Sequence, residues 1–209
     1  MTFFALCLSL ASAASALEPA PLGLILMGPP GSGKGAMSAR LSSDFGLAHV
    51  SSGDLLRERA KTDPRVAEDI LRGRLVPVEV VAEVVEERLA REDARLRGFI
   101  LDGFPRRLEE AEALLGMSRR LGLRLDALLR LEAPEDELLR RVLARGRPDD
   151  TETVFRNRMR DYRALTAPVY GFLASWVPLL APDVAAPDVE AAYRSVKRAV
   201  LSLPRASRP

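Results

Sequence analysis

The chain has 209 residues, of which 47% are hydrophobic, and its 31 basic and 29 acidic side chains leave a formal net charge of +2. This length and balance predict one globular domain and argue against a disordered or low-complexity chain. The near-neutral charge argues against a nucleic-acid polymer as partner, because such binders carry a basic excess. The single cysteine, Cys7, and the single histidine, His49, exclude an internal disulfide and a zinc site made of clustered cysteines or histidines.

An uncharged run of apolar and small residues, 3–17, lies near the start of the chain. It is shorter than the ~18 apolar residues of a transmembrane helix, so we expect no stable membrane insertion. Ala14-Ser15-Ala16 fits the cleavage site of a leader, which suggests secretory, plastid or other organelle routing. No basic residue precedes the run, so an uncleaved tail or a wrongly chosen start codon, and with it a cytoplasmic protein, is the alternative. We therefore separate 1–20, a leader or disordered N-terminus, and the tail 205–209 from a domain at 21–204.

Short apolar runs alternate with segments of helical periodicity along this domain. The predicted strands are 24–27, 48–50, 99–101, 127–131 and 176–180. The predicted helices are 34–45, one that begins near Asp54, 77–93, 107–121, 135–145, 151–175 and 187–203. Pro178 marks the last strand as an edge strand, because proline cannot donate a hydrogen bond within a sheet. The alternation predicts an α/β fold with a parallel sheet covered by helices on both faces.

A glycine-rich segment joins the first strand to the first helix: Gly28-Pro29-Pro30-Gly31-Ser32-Gly33-Lys34-Gly35. It matches the G-x-x-x-x-G-K pattern of a phosphate-binding loop. Glycines let backbone N–H groups turn toward an anion, and the helix N-terminus adds partial positive charge. Lys34 is expected to reach the β and γ phosphates of a nucleotide. Because Gly35 and Ala36 follow the lysine, the hydroxyl that usually contacts Mg²⁺ there is missing.

Three further strings complete a recognisable pattern: SSGDLLR at 51–57, GFILDGFPR at 98–106 and GRPDD at 146–150. With the loop, they make the chain from about Leu22 to Leu203 resemble the adenylate kinase family of nucleoside monophosphate (NMP) kinases, in its short-lid form. The resemblance implies a P-loop fold with a five-stranded parallel sheet, a small NMP-binding part at 51–80 and a minimal lid at 146–152 without zinc. It also implies reversible phosphoryl transfer from Mg·ATP to AMP, which gives two ADP.

The resemblance also implies a role for each matching residue. ATP would be bound by Gly28, Pro29, Pro30, Gly31, Ser32, Gly33, Lys34, Gly35, Ala36, Arg141 and Arg145. AMP would be bound by Ser52, Arg57, Val76, Gly103, Arg106, Glu110, Arg147 and Arg158. The catalytic cations would be Lys34, Arg106, Arg141, Arg147 and Arg158. Asp102 would orient water on Mg²⁺, and the lid acids Asp149 and Asp150 would pair with arginines when the lid closes. Such a set suits a loose transition state, which needs in-line positioning and surrounding positive charge.

Departures from the family pattern leave alternatives open. Ala36 and Ser52 stand where adenylate kinases usually carry threonine, and the lid is so short that we expect some leakage of ATP to hydrolysis. Glu110 replaces the glutamine that reads adenine, and an ionised carboxylate only accepts hydrogen bonds, so GMP, UMP or CMP are alternative acceptors. Alternatively, Glu110 is an ordinary helix residue whose side chain faces solvent and does not contact the base. The last alternative is that the chain is a non-catalytic nucleotide-binding relative of the family. His49 is expected to pack or to form a hydrogen bond rather than to catalyse. We expect the protein to be a monomer.

Overall fold

The computed structural model describes residues 21–186 and 188–204, so the predicted leader with Cys7 and the predicted tail lie outside the described residues. Five strands occur in this part of the chain: β1 Leu22–Met27, β2 Ala48–Ser51, β3 Gly98–Asp102, β4 Ala127–Arg130 and β5 Leu179–Leu180. They form one parallel sheet in the order β2-β3-β1-β4-β5. The predicted α/β fold with a five-stranded parallel sheet is confirmed.

Helices connect and cover these strands. Those before β3 are α1 Lys34–Phe45, α2 Ser52–Arg59, α3 Pro64–Leu71, α4 Val78–Leu89 and α5 Glu92–Arg97. Those after β3 are α6 Leu108–Leu121, α7 Glu135–Arg145, α8 Glu152–Asp161, α9 Ala167–Leu173 and α10 Val189–Leu201, with a π-helical turn, Tyr162–Thr166, between α8 and α9. Among residues 21–186 and 188–204, no helix is long and apolar enough to cross a membrane.

The sheet separates two hydrophobic cores, and β1 contributes to both because successive side chains of a strand point to opposite faces. Ile25 and Met27 pack with side chains of α4, α6 and α9 on one face. Leu24 and Leu26 pack with side chains of α1 and α10 on the other. All four are almost fully buried. Both faces of the parallel sheet are therefore covered, as its apolar strands require.

The carboxyl ends of β1, β2 and β3 lie side by side at one edge of the sheet. Leu26 of β1 and Ser51 of β2 are both register partners of Asp102, the last residue of β3. The segments that leave these strands therefore start next to one another: the phosphate loop after β1, α2 after β2, and 103–107 after β3. Open α/β sheets bind their ligands in the crevice outside such strand ends.

Several local predictions need correction. The predicted helix 151–175 is observed as a continuous helical run, 152–173, but it contains a π-helical turn, after which Pro168 lies at the start of α9, where a missing N–H is tolerated. A separate short helix, α5, extends beyond the predicted end of helix 77–93. Ser51 caps α2 and accepts the N–H of Asp54 at 3.2 Å, so Asp54 lies one turn further along than predicted. The edge position predicted from Pro178 is confirmed, although β5 has only two residues.

Candidate active site

A cavity of about 560 Å³ lies at the carboxyl edge of the sheet. Its walls come from the phosphate loop, α2, the segment 73–76, the turn after β3, α7 and α8. The volume falls within the ~300–1,000 Å³ of ordinary small-molecule sites. Segments that are far apart in the sequence thus meet around one concave space.

The phosphate loop encloses the ammonium group of Lys34. Its Nζ donates to Gly28 O at 2.8 Å and to Pro29 O at 2.9 Å, and it lies 3.3 Å from Ser32 Oγ. These contacts hold the positive charge inside the loop, at the N-terminus of α1. The backbone and the side chain therefore offer positive charge to the same point, as an anion site requires.

The loop reaches this shape through glycines with positive φ. Gly31 and Gly33 have φ angles of +84° and +87°. A Cβ on Gly31 would lie 2.4 Å from the carbonyl oxygen of Leu138 in α7, whereas one on Gly33 would meet no atom within 4 Å. Only Gly31 is therefore required both by its backbone conformation and by the close approach of α7.

The surroundings of Lys34 carry an excess of positive charge. Burial lowers the pKa of Lys34 to about 8; Asp102 opposes this effect, while Arg106, Arg145 and Arg158 act in the same direction as burial. Three guanidinium groups and one carboxylate thus act most strongly on Lys34, although two of these guanidinium groups, those of Arg145 and Arg158, are themselves paired with Asp150 and Asp149. Bound phosphate groups would relieve this repulsion.

Asp102 faces the phosphate loop from the end of β3. It is largely buried, and a Cβ on Gly35 would lie 3.5 Å from its Oδ2. The same oxygen is 3.4 Å from Nε2 of His49, which comes from the neighbouring strand β2. The histidine is therefore a neighbour of the carboxylate at the cavity wall.

Ser52 and Arg106 meet at one backbone carbonyl after β3. The Ser52 hydroxyl lies 2.8 Å from Gly103 O and 3.2 Å from Asp102 O. The Nε of Arg106 donates to Gly103 O at 2.8 Å. Burial lowers the pKa of Arg106, and the carboxylate of Glu110 opposes this effect. The turn after β3 therefore fixes both predicted acceptor-side groups.

Glu110 is only 2% exposed, so the reading in which it faces solvent is wrong. Its Oε2 accepts the backbone N–H of Arg106 at 2.7 Å, and its Oε1 lies 3.5 Å from Nε of Arg107. Burial raises the pKa of Glu110, while the Arg106 N–H and the charges of Arg106 and Arg107 oppose this. The residue lies in the first turn of α6 and reaches back over the helix start, where a carboxylate is favoured.

Two arginines next to the predicted lid are paired with its acids. Arg145 donates through Nε to Asp150 Oδ2 at 2.8 Å and through Nη2 to the other oxygen, which gives a bidentate pair. Arg158 pairs with Asp149. Both lid acids are therefore paired with arginines in this structure, and the dependence of this pairing on lid closure stays a prediction.

Arg147 differs from these two arginines. Its backbone N–H donates to Asp150 Oδ2 at 3.0 Å, but its guanidinium group has no hydrogen-bond or ion-pair partner within residues 21–186 and 188–204. Burial and the charges of Arg145 and Arg57 lower its pKa. Arg147 therefore lines the cavity with a guanidinium group that is not ion-paired, although the charges of Asp54 and Asp150 act on it.

The remaining predicted arginines are anchored on their own helices. Arg57 pairs with Asp54 in α2. Arg141 donates through Nε to Glu137 Oε1 at 2.7 Å in α7, and its Nη2 lies 3.4 Å from Val184 O. Both arginines line the cavity, at different parts of its wall.

Most predicted site residues line this one cavity. Pro29 and Ser32 do not line it; their oxygens contact Lys34 within the loop. Arg107 and Thr166 also line it and were missed. Arg107 could have been identified from the sequence, since it directly follows the string GFILDGFPR at 98–106. Thr166 gave none, because it lies in the middle of a segment that reads as uninterrupted helix.

The chain matches the sequence model of the family described as "Adenylate kinase" over residues 26–177. It belongs to the adenylate kinase family. The adenylate kinase of Rhodococcus erythropolis is 45% identical over 153 residues, 71% of this chain and 84% of the relative. Those of Mycobacterium sp. (strain MCS) and Corynebacterium diphtheriae are 45% and 43% identical over 150 residues, 70% of this chain and 82% of each relative. The resemblance carried by the four sequence strings is confirmed.

Proposed function

We propose that this member of the adenylate kinase family transfers the γ-phosphoryl group of Mg·ATP to AMP and forms two ADP reversibly. The observation that carries the proposal is that the phosphate-loop lysine, Lys34, and Arg106, which follows β3, line one cavity. A donor polyphosphate and an acceptor monophosphate can therefore be held side by side. The three relatives described above are each named adenylate kinase, which supports the same reaction.

The donor polyphosphate would lie on the phosphate loop, 28–36. Backbone N–H groups at the start of α1 and the ammonium group of Lys34 suit the β and γ phosphates. Arg141 and Arg145 come from one face of α7, four residues apart, and would bind the donor from the opposite side. The loop thereby positions the γ-phosphoryl group toward the acceptor side of the cavity.

The acceptor would lie between α2, the segment before α4 and the turn after β3. Arg57 and Arg106 would bind its phosphate, near Ser52 and Gly103. Val76, which is buried and lines the cavity, would contact the base together with Glu110. No general base is needed, because the acceptor phosphate is already an anion.

Arg147 and Arg158 would stabilise the charge on the transferring phosphoryl group. The guanidinium of Arg147 is not engaged by any described residue, so it can turn to the phosphoryl oxygens without breaking an ion pair. Arg158 would exchange Asp149 for those oxygens. Both act through preorganised positive charge, which is the main requirement of phosphoryl transfer.

The chemistry of the donor set fits a Mg²⁺ ion carried by ATP. Mg²⁺ usually keeps several waters and takes one or two carboxylates together with phosphate oxygens. Asp102 supplies one such carboxylate next to the phosphate loop and would hold a metal-bound water in place. When bound, the ion would neutralise charge on the phosphate oxygens. In the described part of the chain, no group of three or more His, Cys, Asp or Glu side chains is arranged to hold a metal.

A coupled assay of ADP formation from Mg·ATP tests the proposal. AMP should be the best acceptor in a panel with GMP, UMP and CMP. Lys34→Ala and Arg106→Ala should each lower kcat/KM by at least ~100-fold, because each removes a charge aimed at a phosphate. Arg119→Ala is the matched control, since this arginine lies over Trp176, outside the cavity. Retention of more than a tenth of the activity by either site variant would contradict the proposal.

Phosphorylation of GMP is a second candidate, and one observation favours it. The buried carboxylate of Glu110 lines the cavity. A carboxylate accepts the N1–H and N2–H donors of guanine, whereas it would repel N1 of adenine. The same panel decides, because a higher kcat/KM for GMP than for AMP would replace the first candidate.

We further propose a monomer with its working domain at 21–204, an NMP-binding part at 51–80 and a lid at 146–152. Every residue assigned above comes from one chain, which supports this state. Light scattering during gel filtration should give a mass near 23 kDa for the full chain. For the compartment, we propose leader-directed routing, with a cytoplasmic protein as the alternative; N-terminal sequencing of the natural protein distinguishes them.

A further inference from the structure

The backbone of Arg106 is held from two sides. Its N–H donates to Glu110 Oε2 at 2.7 Å, and its carbonyl oxygen accepts the hydroxyl of Thr166 at 2.9 Å. Both partners are buried, with 2% and 6% of their surfaces exposed. Glu110 lies on the same helix start, whereas Thr166 is 60 residues further along the chain.

Thr166 lies at a junction between two helices. It is the last residue of the π-helical turn Tyr162–Thr166, which continues α8 and leads directly into α9. Arg158 lies in α8, so one continuous helical run carries Arg158 and then contacts Arg106. π-helical turns are rare and occur mostly as single turns, frequently at functional sites.

This contact fixes the position of the acceptor-side arginine. The Arg106 side chain is already tied through Nε to Gly103 O at 2.8 Å. With the side chain tied at Nε, the orientation of the guanidinium follows the backbone between 103 and 106. A shift of the Arg106 carbonyl therefore moves the guanidinium, and it also changes its position relative to Arg158.

We propose that Thr166 is a positioning residue for Arg106, and that its hydroxyl sets the place of this guanidinium relative to Arg158. The inference rests on the proposed phosphoryl transfer, in which both arginines must contact phosphate oxygens at the same time. Without the hydroxyl, a part-buried carbonyl loses its donor, and buried polar groups seldom stay unpaired. The turn after β3 then relaxes, and displacements of about 1 Å can cost ~100-fold in rate.

Two substitutions at Thr166 separate the hydroxyl from the shape of the side chain. Thr166→Val keeps the volume and removes the donor, while Thr166→Ser keeps the donor. Ser118→Ala is the matched control, because that buried hydroxyl donates to Leu115 O at 2.9 Å within α6, outside the cavity. Circular dichroism and thermal melting verify that each variant is folded.

Calorimetry with AMP and with ATP, together with kcat, gives the expected pattern. Thr166→Val should weaken AMP binding by ~10-fold and lower kcat by ~10-fold to ~100-fold, while the Kd for ATP stays within about twofold. Thr166→Ser should stay within about threefold of the parent in every quantity, and Ser118→Ala should match the parent. A merely structural threonine would instead change the ATP and AMP affinities together.

A double-mutant cycle tests whether Thr166 acts through Arg106. In an Arg106→Lys background, Thr166→Val should cost less than about twofold in AMP affinity, because coupled residues are not additive. Full additivity, an unchanged Thr166→Val enzyme, equal losses for ATP and AMP, or a Thr166→Ser enzyme as weak as Thr166→Val would each overturn the inference. If the parent binds AMP but forms no ADP, the proposed function fails, and the calorimetry still decides the role of Thr166.

Discussion

Replacing Lys34 by methionine should change how the stability of the protein depends on pH. Burial lowers the pKa of Lys34 from an ordinary value of 10.5 to about 8. At 1.36 kcal/mol for each pH unit between these values, the charged lysine costs the folded state about 3 kcal/mol below pH 8. Since the folded pKa is the lower one, the unfolded chain binds more protons between pH 8 and pH 10.5, and stability rises with pH in that window.

Urea denaturation of the parent and of Lys34→Met, from about pH 7 to about pH 11, measures this effect. The free energy of unfolding of the parent minus that of the variant should grow by about 3 kcal/mol across the series, because methionine cannot titrate. Lys61→Met is the control, since the Lys61 side chain is 69% exposed and pairs with Glu58 on the surface. A parent-minus-variant difference that stays constant within about 0.5 kcal/mol, or that falls with pH, refutes the reasoning.

Three further changes test other parts of the site. Gly31→Ala should destabilise the protein by at least about 1 kcal/mol more than Gly33→Ala in urea, because only the Gly31 methyl group would meet Leu138 O; equal costs would contradict the steric argument. Arg147→Ala should lower kcat by at least ~100-fold and leave the free energy of unfolding within ~0.5 kcal/mol of the parent. Arg158→Ala should lower both kcat and the free energy of unfolding, because it leaves Asp149 without its partner. Similar losses of stability in the two variants would show that Arg147 is also paired. ADP release from Mg·ATP without AMP should exceed that of a long-lid relative, because a short lid excludes water less well; equal hydrolysis would remove this idea.

The fold could be predicted from the sequence because its signals are local. Mostly apolar runs of three to five residues, near glycines and prolines, predicted the strands, and β3 differs from its prediction by one residue at each end. The phosphate loop could be predicted for the same reason, since its glycines and Lys34 are contiguous. The pairing of Asp149 and Asp150 with arginines was implied by the family resemblance, and their partners lie nine and five residues away.

Contacts between distant segments could not be predicted in the same way. Thr166 reads as an ordinary helical residue, and only the packing of α8 and α9 against the turn after β3 gives its hydroxyl a partner. The orientation of Glu110 was also open, because a glutamate in the first turn of a helix can face solvent or bend back over the helix start. The structure selects the second arrangement through the N–H of Arg106.

A near-zero net charge is compatible with a cation-rich cavity, because cavity arginines are partly paired with acids. Arg145 and Arg158 pair with Asp150 and Asp149, which lie in the predicted lid. Such pairs keep the guanidinium groups compensated and ordered, and phosphate oxygens can take the place of the carboxylates at little cost in side-chain entropy. Arg147, whose guanidinium group has no such partner among the described residues, then contributes an unpaired positive charge that attracts an anion into the cavity. Counting charges over the whole chain hides this arrangement, because what matters for binding is which arginines are paired at the cavity wall.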